Sequence, residues 1–230
     1  MFNNSDYKIV QTSSPNFFRR VYGWLTLQLV LTGIVAGYVV QSPSILTFLF
    51  KNSWTVLCLV LFKFLLVGTL STFALRLSPM MCVALSTGFS VLTGITLSAI
   101  FFIYTYNSIA TAFIVAASMF GFMSIYGYVT KTDLSSLRSF FLMALFGLFV
   151  AGIVNMFYSN SVFEFIYSIA GVIIFTLLTA YDVQKLKEIS TFVSNEEEAS
   201  KIAIVGALQL YLDFINLFLF LLRLFDRKRK

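Results

Sequence analysis

The stretch LQLYLDFINLFLFLLR, residues 208–223, is apolar enough to enter a membrane, yet Asp213 sits near its middle. An ionised carboxylate there costs roughly 2.5–3.5 kcal/mol on insertion scales. Gln209, Asp213 and Asn216 follow an i, i+4, i+7 spacing, which lines them up on one face of a helix, and Arg223 falls on the same stripe seven residues later. The remaining faces are Leu, Phe, Ile and Tyr. A helix with one polar stripe at membrane depth turns that stripe toward protein or a water-filled cavity. The segment is therefore expected at the centre of a bundle.

The rest of the chain supplies the bundle. Of 230 residues, 59% are hydrophobic and only 11% charged, against about 25% charged in a typical soluble domain. Mean hydropathy is +0.89. Apolar runs of about 20 residues mark spanning helices at roughly 21–41, 54–75, 80–102, 108–128, 139–158, 162–183 and 203–222. This is an all-α, polytopic membrane protein in one domain, 21–223. A polar tail (1–20) precedes it and a basic tail (224–230) follows. No short apolar core with a cleavage site stands near the start, so the first apolar segment is expected to be a retained helix. The connections are short except 184–201, QKLKEISTFVSNEEEASK, which reads as a charged loop with Glu196, Glu197 and Glu198 in solvent. Small residues at four-residue spacing, Ser90, Gly94 and Ser98, then Gly147 and Ala151, suggest close helix packing. No sequence repeat is visible.

Composition also excludes chemistry. There are no histidines, which removes His-based general-base catalysis, Ser-His triads and His metal sites. Cys58 and Cys82 stand alone in separate apolar stretches and read as small packing residues. The net charge of +6 owes much to the tail RLFDRKRK (223–230), which abuts a membrane segment. It fits anionic lipid or a topology signal better than nucleic acid.

Topology follows from the cations. With the N-terminus in the cytoplasm, Lys8, Arg19, Arg20, Arg76, Lys131, Arg138, Lys185, Lys187 and Lys201 lie inside, and Lys51 alone falls in an outer loop. The seventh segment conflicts with this rule. If it spans, Arg227 to Lys230 end outside; if it is re-entrant, they stay inside.

Asp182, in LLTAYDVQKLK (177–187), lies near the inner end of the sixth helix, and the seventh segment begins on the same side. The two aspartates can therefore meet at similar depth on neighbouring helices. Two carboxylates in a low-dielectric site do not both ionise cheaply, so they are expected to share a proton. Arg76, at the inner end of the second helix, is the arginine that would favour their ionised form. The bland reading is that Asp213 is a buried hydrogen-bonding residue and Asp182 an interfacial one. Lys63, near the middle of the second helix, either snorkels or pairs with a carboxylate across the bundle.

At these residues the chain resembles the Bax inhibitor family. The matching stretches are YDVQKLK (181–187), LYLDFINLFLFLLR (210–223), LTGITLSAIF (92–101) and KTDLSSLRSFFLMALFGLFVAGIVNMF (131–157). The resemblance implies a seven-helix bundle whose central C-terminal helix is wrapped by two three-helix groups. It implies a pH-sensitive calcium leak, with Asp182 and Asp213 as sensor and gate and Arg76, in ALRLS (74–78), as a basic latch. It implies a fully spanning seventh helix. Some relatives carry an acidic residue two positions after Lys63, where this chain has Leu65, so a cation path along the second helix is in question.

The leading expectation is a proton-gated Ca²⁺ leak and not an enzyme. Hard oxygen donors suit calcium. Asp182 and Asp213 would hold the ion transiently, with Gln209 and Asn216 lining the path. Lipid, protons and permeant Ca²⁺ are the expected partners, with no cofactor. One alternative is a membrane regulator acting through partner proteins. Another is an intramembrane aspartyl protease, suggested by Tyr181–Asp182. Against the protease, Asp213 sits in YLDF without a preceding Gly-x-Gly, and Pro15, Pro43 and Pro79 are the only prolines. The expected location is a bacterial inner membrane, with a eukaryotic internal membrane as the alternative.

Overall fold

The computed structural model describes residues 14–51, 53–157, 160–193 and 195–225. Most of the polar N-terminal tail and residues 226–230 of the basic tail lie outside them. The described residues form helices α1 (Ser14–Val40), α2 (Pro43–Lys51), α3 (Ser53–Phe73), α4 (Pro79–Leu97), α5 (Ile100–Ile103), α6 (Tyr106–Val129), α7 (Arg138–Phe157), α8 (Ser161–Phe192) and α9 (Glu196–Leu224), with no strand among them. Seven are long and apolar enough to cross a membrane: α1, α3, α4 continued by α5, α6, α7, α8 and α9.

Local chemistry sets the breaks. A 3₁₀ turn, Ala74–Arg76, ends α3. Ser78 then caps α4 by accepting from the Met81 N–H, with Pro79 in the first turn, where its missing N–H costs nothing. Asn160 caps α8 and Asn195 caps α9 in the same way. Glu196–Glu198 fill the first turn of α9, where carboxylates complement the helix dipole. They are therefore not a loop. Glu196 pairs with Arg20 at 2.7 Å and Glu197 with Lys201 at 2.7 Å.

The expected 184–201 loop shrinks to residues 193–195. Helix α8 runs on past the apolar stretch because its polar residues are tied to the last turn of α6 and the α6–α7 connection. The Gln184 amide donates to the Thr132 carbonyl and accepts from the Leu134 N–H, both at 2.8 Å, and Lys187 donates to the Tyr128 carbonyl at 2.7 Å.

Helix α9 is the axis. Two-thirds (67%) of its most apolar window is buried, against 11% for α7. It packs on α1 and α4 on one side and on α6 and α8 on the other. The same scheme occurs twice: α4 packs on both α1 and α3, and α8 packs on both α6 and α7, while α3 and α7 stay peripheral. Each group makes three crossings, so the second runs opposite to the first, an inverted arrangement that the sequence does not show. The expected central helix with two three-helix groups is what the chain forms.

Small residues permit the closest approaches. A Cβ on Gly94 would lie 2.7 Å from the Thr32 carbonyl oxygen, and one on Gly127 would overlap the backbone of Ala180. Gly147 is different: nothing lies within 4 Å of where its Cβ would be. Its spacing to Ala151 therefore marks no helix contact, because α7 touches the bundle through another face.

Candidate functional site: a carboxyl pair on the central helix

Helices α8 and α9 run antiparallel. Gly206 meets Leu186 and Gly171 meets Phe220, so Asp182 falls opposite the turn of α9 that carries Gln209 and Asp213. The carboxyl of Asp182 thus faces that of Asp213 and the Gln209 amide across the α8–α9 interface. Both aspartates are buried, at 2% and 3% exposure. Asp213 lies 12 residues after Lys201 and 10 before Arg223, or about 18 Å and about 15 Å along the helix, near the middle of the span.

The pair is short of partners. Asp182 Oδ1 and Asp213 Oδ2 are buried with no hydrogen-bond partner. Among the described residues neither carboxyl is in an ion pair. Lys185, on the next turn of α8 toward the inner face, is the cation whose charge reaches Asp182. Two unit charges about 4 Å apart repel by about 4 kcal/mol at an effective dielectric constant of about 20. The structure thus brings together the two acids that the sequence placed at similar depth on neighbouring helices.

The other expected site residues divide. Gln209 joins the pair. Asn216 does not: its side-chain amide donates to the Leu212 carbonyl at 2.8 Å and faces a cavity bordered by α3 and α4. Arg223 stacks over the Tyr167 and Phe220 rings. Arg76 is exposed, at the end of a 3₁₀ turn that packs on α9. The turn is tied to the start of α4, where the Cys82 thiol donates to the Ala74 carbonyl at 3.7 Å. Lys63 pairs with no carboxylate; its ammonium donates to Thr96 Oγ1 at 3.0 Å.

Sequence reasoning missed Gln28. Arg20 bonds Ser200 and Thr32 bonds Tyr211, so α1 and α9 run in parallel and Gln28 lies at the level of Leu208, beside the polar turn of α9. It is 2% exposed and neither amide atom has a partner. The signal was available: Gln28 is the one amide in the apolar run 21–40.

The chain matches the model of a protein family described as "Inhibitor of apoptosis-promoting Bax1" over residues 14–230. It belongs to the Bax inhibitor-1 family. It is 43% identical to the inner membrane protein YbhL of Escherichia coli over 232 residues, covering 99% of each chain. It is 40% identical to a Borreliella burgdorferi protein over 93% of this chain and 92% of that one. It is 43% identical to a Deinococcus radiodurans protein, covering 90% and 89%. With seven spanning helices and relatives of this kind, it is a multi-pass protein of the bacterial inner membrane. Within this family member the aspartates that carried the resemblance meet where α8 packs on the central helix, and among the described residues the expected latch arginine makes no ion pair with them.

Proposed function

We propose that the protein is a pH-sensitive cation leak, with Ca²⁺ as the permeant ion, controlled by the Asp182–Asp213 pair. The observation that supports this is the meeting of two buried carboxyls, one on α8 and one on the central helix, with neither in an ion pair among the described residues. A purely structural polar contact at this depth would be served as well by two amides, without the charge cost. Carboxyl oxygens and the Gln209 carbonyl are the hard donors a calcium ion prefers in passing. A group of three or more acidic, Cys or His ligands is absent among the described residues, which suits transient passage better than storage. No catalytic turnover is invoked.

In this reading the shared proton sets how α9 packs. Losing it adds a negative charge to a buried site and draws in a counter-charge, for which Arg76, on the basic turn packed against α9, is the candidate. Regaining it releases that constraint and loosens α9. The test is calcium flux into dye-loaded liposomes across a pH series, for the wild type and for Asp213→Asn. A pH-dependent leak that the substitution flattens is expected. An unchanged pH response would end the reading, and absence of flux at any pH from folded protein would favour a regulator acting through partners.

A further inference from the structure

A second site lies on the other side of α9. A cavity of about 470 Å³ opens between α3, α4 and α9. It exists because α3 packs along α4 but makes at most glancing contact with α9. Its volume is that of a small-molecule site, about 300–1,000 Å³. Phe64 on its rim is exposed toward the bilayer, so a lipid-soluble molecule can enter sideways.

Three polar groups of this cavity gather at one level, with apolar Val60, Ile100 and Leu219 lining it about one turn farther outward. Lys63 projects from α3, Thr96 from α4 and Asn216 from α9. An ammonium has three donors, and Lys63 spends one on Thr96. Thr93, also on the wall and 4% exposed, has a hydroxyl within reach of the Tyr211 hydroxyl but in no hydrogen bond of acceptable geometry. Lys63 is the one charged side chain in the lining.

Orientation sharpens the picture. By the charge bias α3 runs inward, and side chains tilt toward a helix N-terminus, so the Lys63 ammonium is carried outward. Thr96 stands close to the outer end of α4. Val67, Phe89 and Leu212, on the same walls, lie inward of these polar groups and are apolar. A single cation within a polar level, with apolar walls running from it toward the middle of the bilayer, matches a molecule with an anionic head and one hydrocarbon tail. A divalent cation is opposed by the same ammonium.

We infer that this cavity binds a long-chain fatty acid, its carboxylate on Lys63, Thr96 and Asn216 and its chain along Val67, Phe89 and Leu212. This goes beyond the leak reading and does not depend on it. The site uses the α3 face of α9, whereas the aspartate pair uses the α8 face.

The test is photolabelling of the full chain, purified in a neutral maltoside detergent, with a diazirine-bearing palmitic acid and peptide mapping by mass spectrometry. Adducts are expected on both walls, in α3 and in the 211–219 stretch of α9. Unlabelled palmitate should compete roughly tenfold or more better than hexadecanol, which has the same chain and no charge. Lys63→Met should lower labelling by a similar factor and Lys63→Arg should retain most of it. Equal competition by hexadecanol would reduce the site to an apolar groove and overturn the proposal. So would displacement by dioleoyl phosphatidate but not by palmitate, or adducts absent from both walls. If Lys63→Met does not yield monodisperse protein, the palmitate and hexadecanol comparison on the wild type decides.

Discussion

Gly127→Ala adds one methyl group where α6 crosses α8, two residues from Asp182. The new Cβ would lie 2.8 Å from Ala180 Cα and 2.9 Å from its carbonyl carbon, and it would overlap the carbonyl oxygen. All three are backbone atoms, so no side chain can rotate away. Restoring ordinary contact at about 3.4 Å moves the helices apart by at least about 0.6 Å at the crossing. A gap of 0.5–1 Å forfeits a quarter to a half of each dispersion contact it opens. Within lipid, helix association rests mainly on such contacts, because the hydrophobic effect does not drive it. Overpacking of this kind costs about 1–3 kcal/mol. For a chain of this size that is a fall of roughly 2–12 °C in apparent Tm. The assay is thermal unfolding in detergent beside Gly147→Ala, where the added methyl meets nothing within 4 Å. The control should stay level or rise slightly, since Ala favours a helix over Gly by up to about 1 kcal/mol. If the two variants unfold together, the α6–α8 crossing is not where the structure puts it.

Tyr211→Phe removes the 2.7 Å bond to Thr32 while Thr32 keeps the Ser90 carbonyl, so a loss of about 0.5–1.5 kcal/mol is expected. A double-mutant cycle with Thr32→Val, read by unfolding, should show coupling; additivity would contradict the bond. Gln28→Leu should be neutral or stabilising by about 1 kcal/mol, because it removes a buried amide with no partner. A loss above about 1 kcal/mol in the same assay would mean that the amide has a partner in solution. In the α6–α7 connection, bonds from Ser135 hold the Asp133 carboxyl below its ordinary value. That contribution is present above the ordinary carboxylate range and fades as pH falls through the lowered value, so an NMR titration should find Asp133 the later-protonating carboxyl and Ser135→Pro should bring it back toward normal. A cysteine at position 230, with Cys58 and Cys82 replaced by serine, should react with an impermeant maleimide from the outer face; labelling only after permeabilisation would refute a spanning α9.

What the sequence disclosed followed from solvation. Seven apolar runs announce seven crossings, because bilayer hydrocarbon admits little else. Asp182 and Asp213 could be matched in depth because one short connection joins their helices. What stayed hidden depends on which face of a helix meets which neighbour. Asn216 shares a stripe with Asp213 in sequence, yet it lies a turn farther along α9, where its amide bonds the Leu212 carbonyl and borders the cavity against α3 and α4. A charge count assigns Arg76 a side of the membrane but no partner, and among the described residues it makes no ion pair with the carboxyls. Gly127 and Gly147 look alike in sequence, and only α6 turns its glycine to a neighbour. The run 184–192 is too polar to read as part of a spanning helix. It is helical because Gln184 finds backbone partners on the α6–α7 connection and Lys187 finds one in the last turn of α6.

The basic tail can now be weighed against the helix that precedes it. Helix α9 is 29 residues without a break, about 43 Å, against about 30 Å of bilayer hydrocarbon. A re-entrant segment needs a turn, and α9 has none. Its first turn is fixed at the inner face by the pair between Glu196 and Arg20. Its far end therefore emerges on the face opposite its first turn. The positive-inside rule yields here because orientation is set chiefly by the first helices, whose flanking cations agree. The energy that outweighs four misplaced charges comes from the position of α9 itself. With α1, α4, α6 and α8 around it, most of its surface meets protein, and the carboxyls that would be costly in lipid are buried against α8. A helix that carries two faces of polar chemistry, one toward α8 and one toward α3, has only one place in the bundle where both can avoid hydrocarbon, and that place is the axis.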